Sequence, residues 1–426
     1  MLPLNNNITS ISNISDSIKF LLDESSIDFF ALKSNFDMLI HILGEIEDPR
    51  KSNLNTYKLE NILAISLILI MEGNFRSFNY AAAYIKINQE RFIKLGLVEP
   101  NVTPSHDTLR RVFMLLDPQQ LKEVIINKLE AFLKRILELN KSDKEIELYS
   151  IDGKEFRGSG RSNNTKNPKS NFNLFNVFNV SKDLCLSSNP LTNKESEILE
   201  AQRTLAKFNL KNKVITGDAL HCQKETCRII TERKGKYLFT VKDNQSGLLA
   251  EIKAKLDKDS KKVNEIKYND CTYRILLLTK AYAGYEFSEQ KAYVYMLSNK
   301  RKNQTVNKQI ERYFITSLKE PELITRVVDS RWKIENDLHK TKDMMFQEDE
   351  YTFTDSNAVK VMAVLNNIAY SFFRIASNFL NDYSMLECRI AYNSNPIEII
   401  SRIVPLLDSK NFKQLLKDNL KGKKSQ

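Results

Sequence analysis

The sequence predicts an α/β protein: a mixed core with a β-rich insertion, preceded by an all-α N-terminal domain. Three observations carry this. Apolar residues recur at three-to-four spacing through residues 1–140, the period of amphipathic helices. From Glu147 the pattern changes to short apolar runs separated by helical stretches. A second group of alternating or apolar runs then fills the interval from about Lys261 to Ser317, before helical periodicity returns. The expected units are residues 1–140 (helical), 145–258 (core, first part), 259–317 (inserted, mostly β), 318–380 (core, second part) and 381–426 (a helical, basic tail).

In the first unit, Ser17 to Leu22, Phe29 to Leu43, Leu59 to Met71 and Leu121 to Leu139 each read as helices. Asp48-Pro49-Arg50 interrupts the second and third, because proline disfavours helical backbone in the residue before it. Ser77 is placed to cap a helix through Ala81-Ala82-Ala83-Tyr84, and Thr103-Pro104-Ser105 to start another with Arg110 and Arg111 in its early turns. A capped helix with basic residues near its start suits DNA docking, and it equally suits a helical scaffold with a solvated basic face.

In the second unit, Leu148–Asp152 reads as a strand giving way to the polar, basic loop Arg157-Gly158-Ser159-Gly160-Arg161-Ser162-Asn163-Asn164-Thr165-Lys166. Leu174–Val180 and Leu184–Leu186 read as a hairpin, Glu195–Phe208 as a helix, Val214–Gly217 as a strand, Gln223–Arg233 as a helix and Tyr237–Val241 as a strand. The order β-β-β-α-β-α-β is that of an RNase H-like core. Tyr273–Leu278, Ala292–Met296 and Tyr313–Ile315 are the expected strands of the insertion, and Ala358 to Phe379 is a long apolar helix.

Lys plus Arg number 64 against 53 acidic residues, a formal net charge of +11, which favours a polyanionic partner without requiring one. The 42% hydrophobic content and 23 Phe supply a substantial core. The five cysteines have no zinc-ribbon spacing, and their odd number favours reduced thiols. Met1 to Asp16 lacks the basic head and apolar stretch of a signal peptide, and the apolar run Ile62 to Met71 is about half a membrane span. A cytoplasmic, nucleoid-associated protein without membrane contact is expected.

Three acids stand out. Asp152 ends the first apolar run, Asp218 ends the run Lys213 to Gly217, and Glu335 lies in Arg331-Trp332-Lys333-Ile334-Glu335-Asn336. Two acids at strand ends and one on a helix suit a site for two hard divalent cations, Mg²⁺ or Mn²⁺, held about 3.5–4 Å apart for phosphoryl transfer. On a regular helix Arg331, Glu335, Leu338, His339 and Lys342 fall within roughly a 100° arc. The two cations of that face can hold phosphate oxygens, or the face can be an ordinary ladder of ion pairs.

In order along the chain stand Ser150-Ile151-Asp152-Gly153-Lys154, Lys194-Glu195-Ser196-Glu197-Ile198, Thr216-Gly217-Asp218-Ala219-Leu220-His221-Cys222-Gln223, Val241-Lys242-Asp243-Asn244-Gln245 and Arg331 to Asn336. Together they resemble the bacterial insertion-sequence DDE transposases of the ISAs group, which includes the H-repeat-associated proteins. Asp48-Pro49-Arg50 and Ser105-His106-Asp107-Thr108 are similar to that group's leading domain. The resemblance spans about residues 45 to 370. It implies an Asp152/Asp218/Glu335 triad holding two Mg²⁺ or Mn²⁺ ions, cleavage of insertion-element ends and 3′-hydroxyl strand transfer. It also implies double-stranded DNA as partner, with terminal inverted repeats and target, and a homodimer in a synaptic complex. Arg331 and Lys342 match the signature's phosphate-positioning residues; Lys154, Arg157, Lys242, Asn244, Arg110 and Arg111 are further expected DNA contacts. Val328 stands where the signature has tyrosine, and Lys340 where such proteins continue with tryptophan. The alternative is a DNA-binding protein derived from a transposase and without catalysis.

His221 reads as a structural histidine at a helix start or as a DNA or metal contact, and Trp332, the single tryptophan, as core packing or base stacking.

Overall fold

A computed structural model describes residues 29–50, 56–139, 146–160, 171–191, 194–278, 291–302, 306–379, 383–392 and 395–414. The helix expected at Ser17 to Leu22, most of the basic loop beyond Gly160, and Lys417, Lys421, Lys423 and Lys424 lie outside them. No helix among the described residues is long and apolar enough to cross a membrane.

The N-terminal helices are α1 (Phe29–Leu43), α2 (Leu59–Met71), α3 (Phe78–Ile87), α4 (Gln89–Lys94), α5 (His106–Leu115) and α6 (Pro118–Leu121), then a π-helical turn (Lys122–Ile126) and α7 (Asn127–Leu139). Ser77 accepts from Tyr80 N at 3.1 Å and Ser105 from Thr108 N at 3.2 Å, so both expected caps start their helices. α2 is buried on nearly every side, which is why its sequence is apolar all round rather than along one stripe. Asp48 and Arg50 pair at 2.7 Å, and Arg50 Nη2 also donates to Tyr57 O, fixing the break before α2.

The core elements follow as β1 (Glu147–Phe156), β2 (Phe172–Asn179), β3 (Leu184–Leu191), α8 (Lys194–Lys207), β4 (Lys213–Gly217), α9 (Lys224–Glu232), β5 (Lys236–Val241) and α10 (Ser246–Lys258). Then come β6 (Asn264–Tyr268), β7 (Cys271–Leu278), β8 (Lys291–Lys302), β9 (Val306–Thr316) and α11 (Pro321–Ser330). A π-helical turn (Ile334–His339) leads to α12 (Lys340–Phe346), α13 (Ser356–Phe379), α14 (Met385–Tyr392) and α15 (Pro396–Leu407). The nine strands among the described residues form one sheet in the order β3-β2-β1-β4-β5-β9-β8-β7-β6. β1, β4 and β5 are parallel; the remaining pairings are antiparallel.

Two expectations change here. β1 does not end at Asp152: it pairs with β2 as far as Phe156↔Phe172, so the antiparallel ladder carries the strand four residues further. Only its parallel pairing with β4 stops there, at Ile151↔Gly217. The inserted strands also form no sheet of their own. β9 hydrogen-bonds to β5 from Leu238↔Thr316 to Val241↔Tyr313, covering an edge that would otherwise expose unpaired backbone. The new edge strand, β6, is mostly exposed and polar, and apolar alternation gave no sign of it.

The helical N-terminal region shares a continuous hydrophobic core with the rest of the chain. α13 packs on β3 and on α2, α5 and α6, while α15 packs on α1 and α7. Phe353 enters the cluster of Phe75, Phe78 and Phe113, its ring centroid 4.7 Å from that of Phe78. Asn357 Nδ2 donates to Leu116 O just past α5 at 2.8 Å, and Arg135 Nη2 donates to Leu406 O and Leu407 O at the end of α15. The stretch read as a C-terminal tail therefore supplies docked helices before the last described residue.

Candidate active site

Parallel pairing brings the first two acids together. Ile151 is opposite Gly217, and Gly217 opposite Phe239, so Asp152 and Asp218 stand one residue further along neighbouring strands. Paired residues share a sheet face, so both carboxylates project to the same side. Asp152 Oδ1 accepts from Gly153 N at 3.0 Å and Asp218 Oδ1 from Leu220 N at 2.9 Å, so a nearby backbone N–H orients each side chain.

The third acid comes from above that face. Ser150, two residues before Asp152, donates Oγ to Arg331 O at 3.4 Å, docking the end of α11 over β1. The regular helix expected from Arg331 to Lys342 is broken by the π turn, which inserts one residue into the local hydrogen-bonding repeat. Ile334 and Leu338 are buried, whereas Glu335 and Asn336 face outward. Arg331 and Lys342 consequently do not share an exposed face with Glu335: they are only 5% and 1% exposed.

Burial, then the charges of Asp218 and Glu335, push the Asp152 carboxyl up to about 7. The three acids thus occupy one electrostatic neighbourhood. Among the described residues no three His, Cys, Asp or Glu side chains converge closely enough to hold a metal ion. The donor chemistry nonetheless fits a hard cation: oxygen ligands only, whose mutual repulsion a divalent charge relieves. Burial lowers the Arg331 pKa while Glu335, Asp152 and Asp218 oppose that shift, so its guanidinium is an internal countercharge to all three.

The Transposase DDE domain family matches residues 143–372, and the family described as DDE_Tnp_1-associated matches residues 40–127. The chain belongs to the DDE transposase family. Its relatives include YhhI of Escherichia coli strain K12, an H repeat-associated protein 24% identical over 78% of this chain and 89% of its own length. YncI of Escherichia coli O157:H7 is 22% identical over 84% of this chain and 93% of its own; both carry provisional transposase names. A protein encoded in the dhlA 3′ region of Xanthobacter autotrophicus is 28% identical over 49% of this chain and 66% of its own. The family catalyses DNA transposition, so this DDE transposase is an enzyme acting on DNA, and its family implies divalent metal use.

Further groups surround the three acids. Glu197, at the start of α8, is 9% exposed and also raises Asp152. Its carboxylate occupies the space a Cβ at Gly153 would need, which is the physical reason for glycine beside the first acid. His221 is fully buried, with Nε2 at 3.1 Å from Glu197 Oε1 and its ring against Phe175, so the structural reading describes it.

His339 Nδ1 lies 3.7 Å from Asp152 Oδ2, and its Nε2 is 3.2 Å from Asn176 Nδ2. Burial, with Lys154 and Lys342 nearby, holds its pKa down at about 3, so the ring is neutral. Ser188 Oγ donates to Asn176 Oδ1 at 2.5 Å, turning the Asn176 amide so that Nδ2 donates to His339 Nε2. The remaining proton then sits on Nδ1, facing Asp152. Asn367 Nδ2 donates to Ser188 Oγ at 3.0 Å, and its Oδ1 accepts from Lys342 Nζ.

Lys342 is therefore a buried anchor of this network. Lys154 is also internal: its Nζ meets Asp343 Oδ1 and Glu348 Oε2, each at 2.5 Å. Neither ammonium faces solvent where a phosphate could approach. Arg157 is exposed, 3.6 Å from Asp349 Oδ2. Lys242 and Asn244 are exposed just past β5, and Asn244 Nδ2 donates to Ala219 O at 2.8 Å, bracing the turn after Asp218. Arg110 and Arg111 lie on the solvent side of α5, whose packing partners are α3 and α13 rather than an element carrying the acids. Val328 is fully buried. Trp332 is clasped by Arg331 and Arg312, whose guanidinium carbons lie 3.6 and 3.9 Å from its ring centroid.

One consequence concerns the metal-free transposase. The folded state keeps a proton on Asp152 that the unfolded chain loses near pH 4, so folding stability falls as pH rises from about 4 to about 7. Asp152→Asn is expected to stabilise the protein in EDTA at pH 8 by on the order of a few kcal/mol, and by much less near pH 4. Thermal unfolding at the two pH values measures this; an equal shift at both contradicts the repulsion.

Proposed function

We propose that this transposase cuts the ends of an insertion element and joins the freed 3′-hydroxyl to target DNA, with Asp152, Asp218 and Glu335 as its metal-holding triad. The observation that carries the reading is the placement of Asp152 and Asp218 side by side on parallel strands, beneath the π turn that presents Glu335. The β-β-β-α-β-α-β order of β1 to β5 supports an RNase H-like core, with β6 to β9 as an insertion fused to its edge.

Divalent ions, when bound, activate the attacking oxygen and stabilise the leaving one. The chain's own residues set up the rest. Asp152, Asp218 and Glu335 supply the oxygens, and Arg331 offsets their repulsion before metal arrives. Neutral His339 places Nδ1 3.7 Å from Asp152 Oδ2, beside the first acid and without a charge of its own. Exposed Arg157, Lys242, Arg110 and Arg111 are the expected cationic contacts to duplex DNA. A homodimer bridging two inverted repeats, association with the nucleoid and membership of the ISAs group complete the reading.

Purified protein, a duplex carrying the element's terminal repeats and Mg²⁺ or Mn²⁺ should give a nick at the repeat boundary and a strand-transfer product. Equal cutting of a scrambled duplex would instead identify a general nuclease. Specific binding without nicking, even on pre-cut ends, would identify a retained DNA-binding protein.

A further inference from the structure

We infer that Arg312, on the inserted part of the sheet, is a phosphate contact for the DNA strand that reacts at the three acids. The inference rests on the function proposed above, and its geometry begins in the strand register. Gly217 is opposite Phe239, so Asp218 is level with Thr240, and Thr240 is opposite Phe314 on β9. Arg312 lies two residues from Phe314 along β9, on the same face. It therefore stands on the face that carries Asp152 and Asp218, two residues beyond their level, past the end of β5.

The overlying segment fixes the guanidinium there. Two guanidinium carbons within 4 Å of one ring centroid must occupy opposite faces of the indole, since on one face they would overlap. Trp332 is thus sandwiched, with Arg331 on the buried side and Arg312 on the accessible side. Stacking of this kind orients a planar guanidinium without using its N–H donors. Arg312 is partly exposed and has no hydrogen bond or ion pair among the described residues, although the Glu335 charge acts on it.

A phosphodiester approaching Glu335 brings negative charge to a cluster of carboxylates. A fixed guanidinium with free donors beside that cluster can bind two of its oxygens together. Lys154 and Lys342 cannot, because their ammonium groups are buried and already paired. The contact is therefore supplied by a strand whose sequence carries no catalytic motif.

The test uses full-length protein and DNA binding measured in Ca²⁺, so it does not depend on turnover. Arg312→Ala should weaken binding of the terminal-repeat duplex about 10- to 100-fold, the range of a charged hydrogen bond. It should also reduce the slope of log K against log salt by about one counterion. Arg312→Lys should keep the slope and lose part of the affinity. With one neutral methylphosphonate at the contacted position beside the cleavage site, wild type and Arg312→Ala should bind equally. An unchanged salt slope for Arg312→Ala, or additive losses at every phosphate flanking the site, would overturn the assignment. Normal binding by wild type with no nicking in Mg²⁺ or Mn²⁺ would count against the proposed reaction and leave this contact standing.

Discussion

Asp218→Asn is expected to abolish metal-dependent nicking, by about a thousandfold or more, while leaving the fold and the affinity for the terminal-repeat duplex in Ca²⁺ close to wild type. A loss of that size corresponds to about 4 kcal/mol of transition-state stabilisation, well within what a metal-ion site supplies. The fold survives because the Asp218 side chain makes few structural commitments. Its Oδ1 accepts one hydrogen bond, from Leu220 N, and an asparagine carbonyl oxygen can accept the same bond. Asn244, which braces the adjacent turn through Ala219 O, is untouched. Substitution also removes one of the charges that raise Asp152, so the variant should be no less stable than wild type without metal. Gel assays on pre-nicked and intact ends, with thermal unfolding alongside, give the result. Cleavage that persists in Asp218→Asn would remove Asp218 from the triad. Loss of cleavage together with loss of folding would show a structural role instead.

How much of this was legible in the sequence follows from the range of the interactions involved. β4, α8, α9 and β5 were located to within about two residues because each announces its own buried face through local periodicity. α1 and α2 were bounded as expected for the same reason. The extension of β1 past Asp152 was not legible, since it depends on a ladder to β2 that begins sixteen residues after the last β1 position. The π turn was invisible because apolar spacing does not reveal whether a backbone closes onto the fourth or the fifth residue. That single extra residue separates Glu335, which faces outward, from Arg331 and Lys342, which point inward. Arg312 is not legible in the sequence because an arginine on a strand carries no motif; the strand register and the Trp332 sandwich reveal it. The apparent independence of the helical N-terminal region had a similar origin. A change of periodicity marks a change of secondary structure, whereas the packing of α13 and α15 onto those helices joins segments far apart in the chain.

Lys154→Met is expected to cost about 3–5 kcal/mol of folding stability, the range found when one partner of a buried ion pair is removed. Lys154 was an attractive DNA contact by position, two residues after the first acid. Its Nζ instead closes a buried cluster with Asp343 and Glu348, the latter 194 residues away in the chain. Glu348 is 0% exposed; burial raises its pKa, but Lys154, Lys342 and the Asn366 amide outweigh that and hold it at about 2. Asn366 in turn accepts from Tyr351 OH at 3.2 Å, so the cluster ties β1 to α12 and α13 across the centre of the molecule. Without the ammonium, Glu348 must stay charged in an apolar setting or take up a proton. Because the wild-type carboxyl is depressed, its contribution is present above about pH 4.5 and is lost as pH falls towards about 2. The penalty of Lys154→Met should therefore be largest near neutrality and shrink below about pH 4.5, where the carboxyl protonates in the unfolded chain as well. Adding Glu348→Gln should recover part of the loss, since the uncompensated charge disappears with it. Urea unfolding of wild type and the two variants at about pH 7 and about pH 3 measures each of these terms. A Lys154→Met protein as stable as wild type but weaker in DNA binding would move Lys154 out of the core and back to the DNA face.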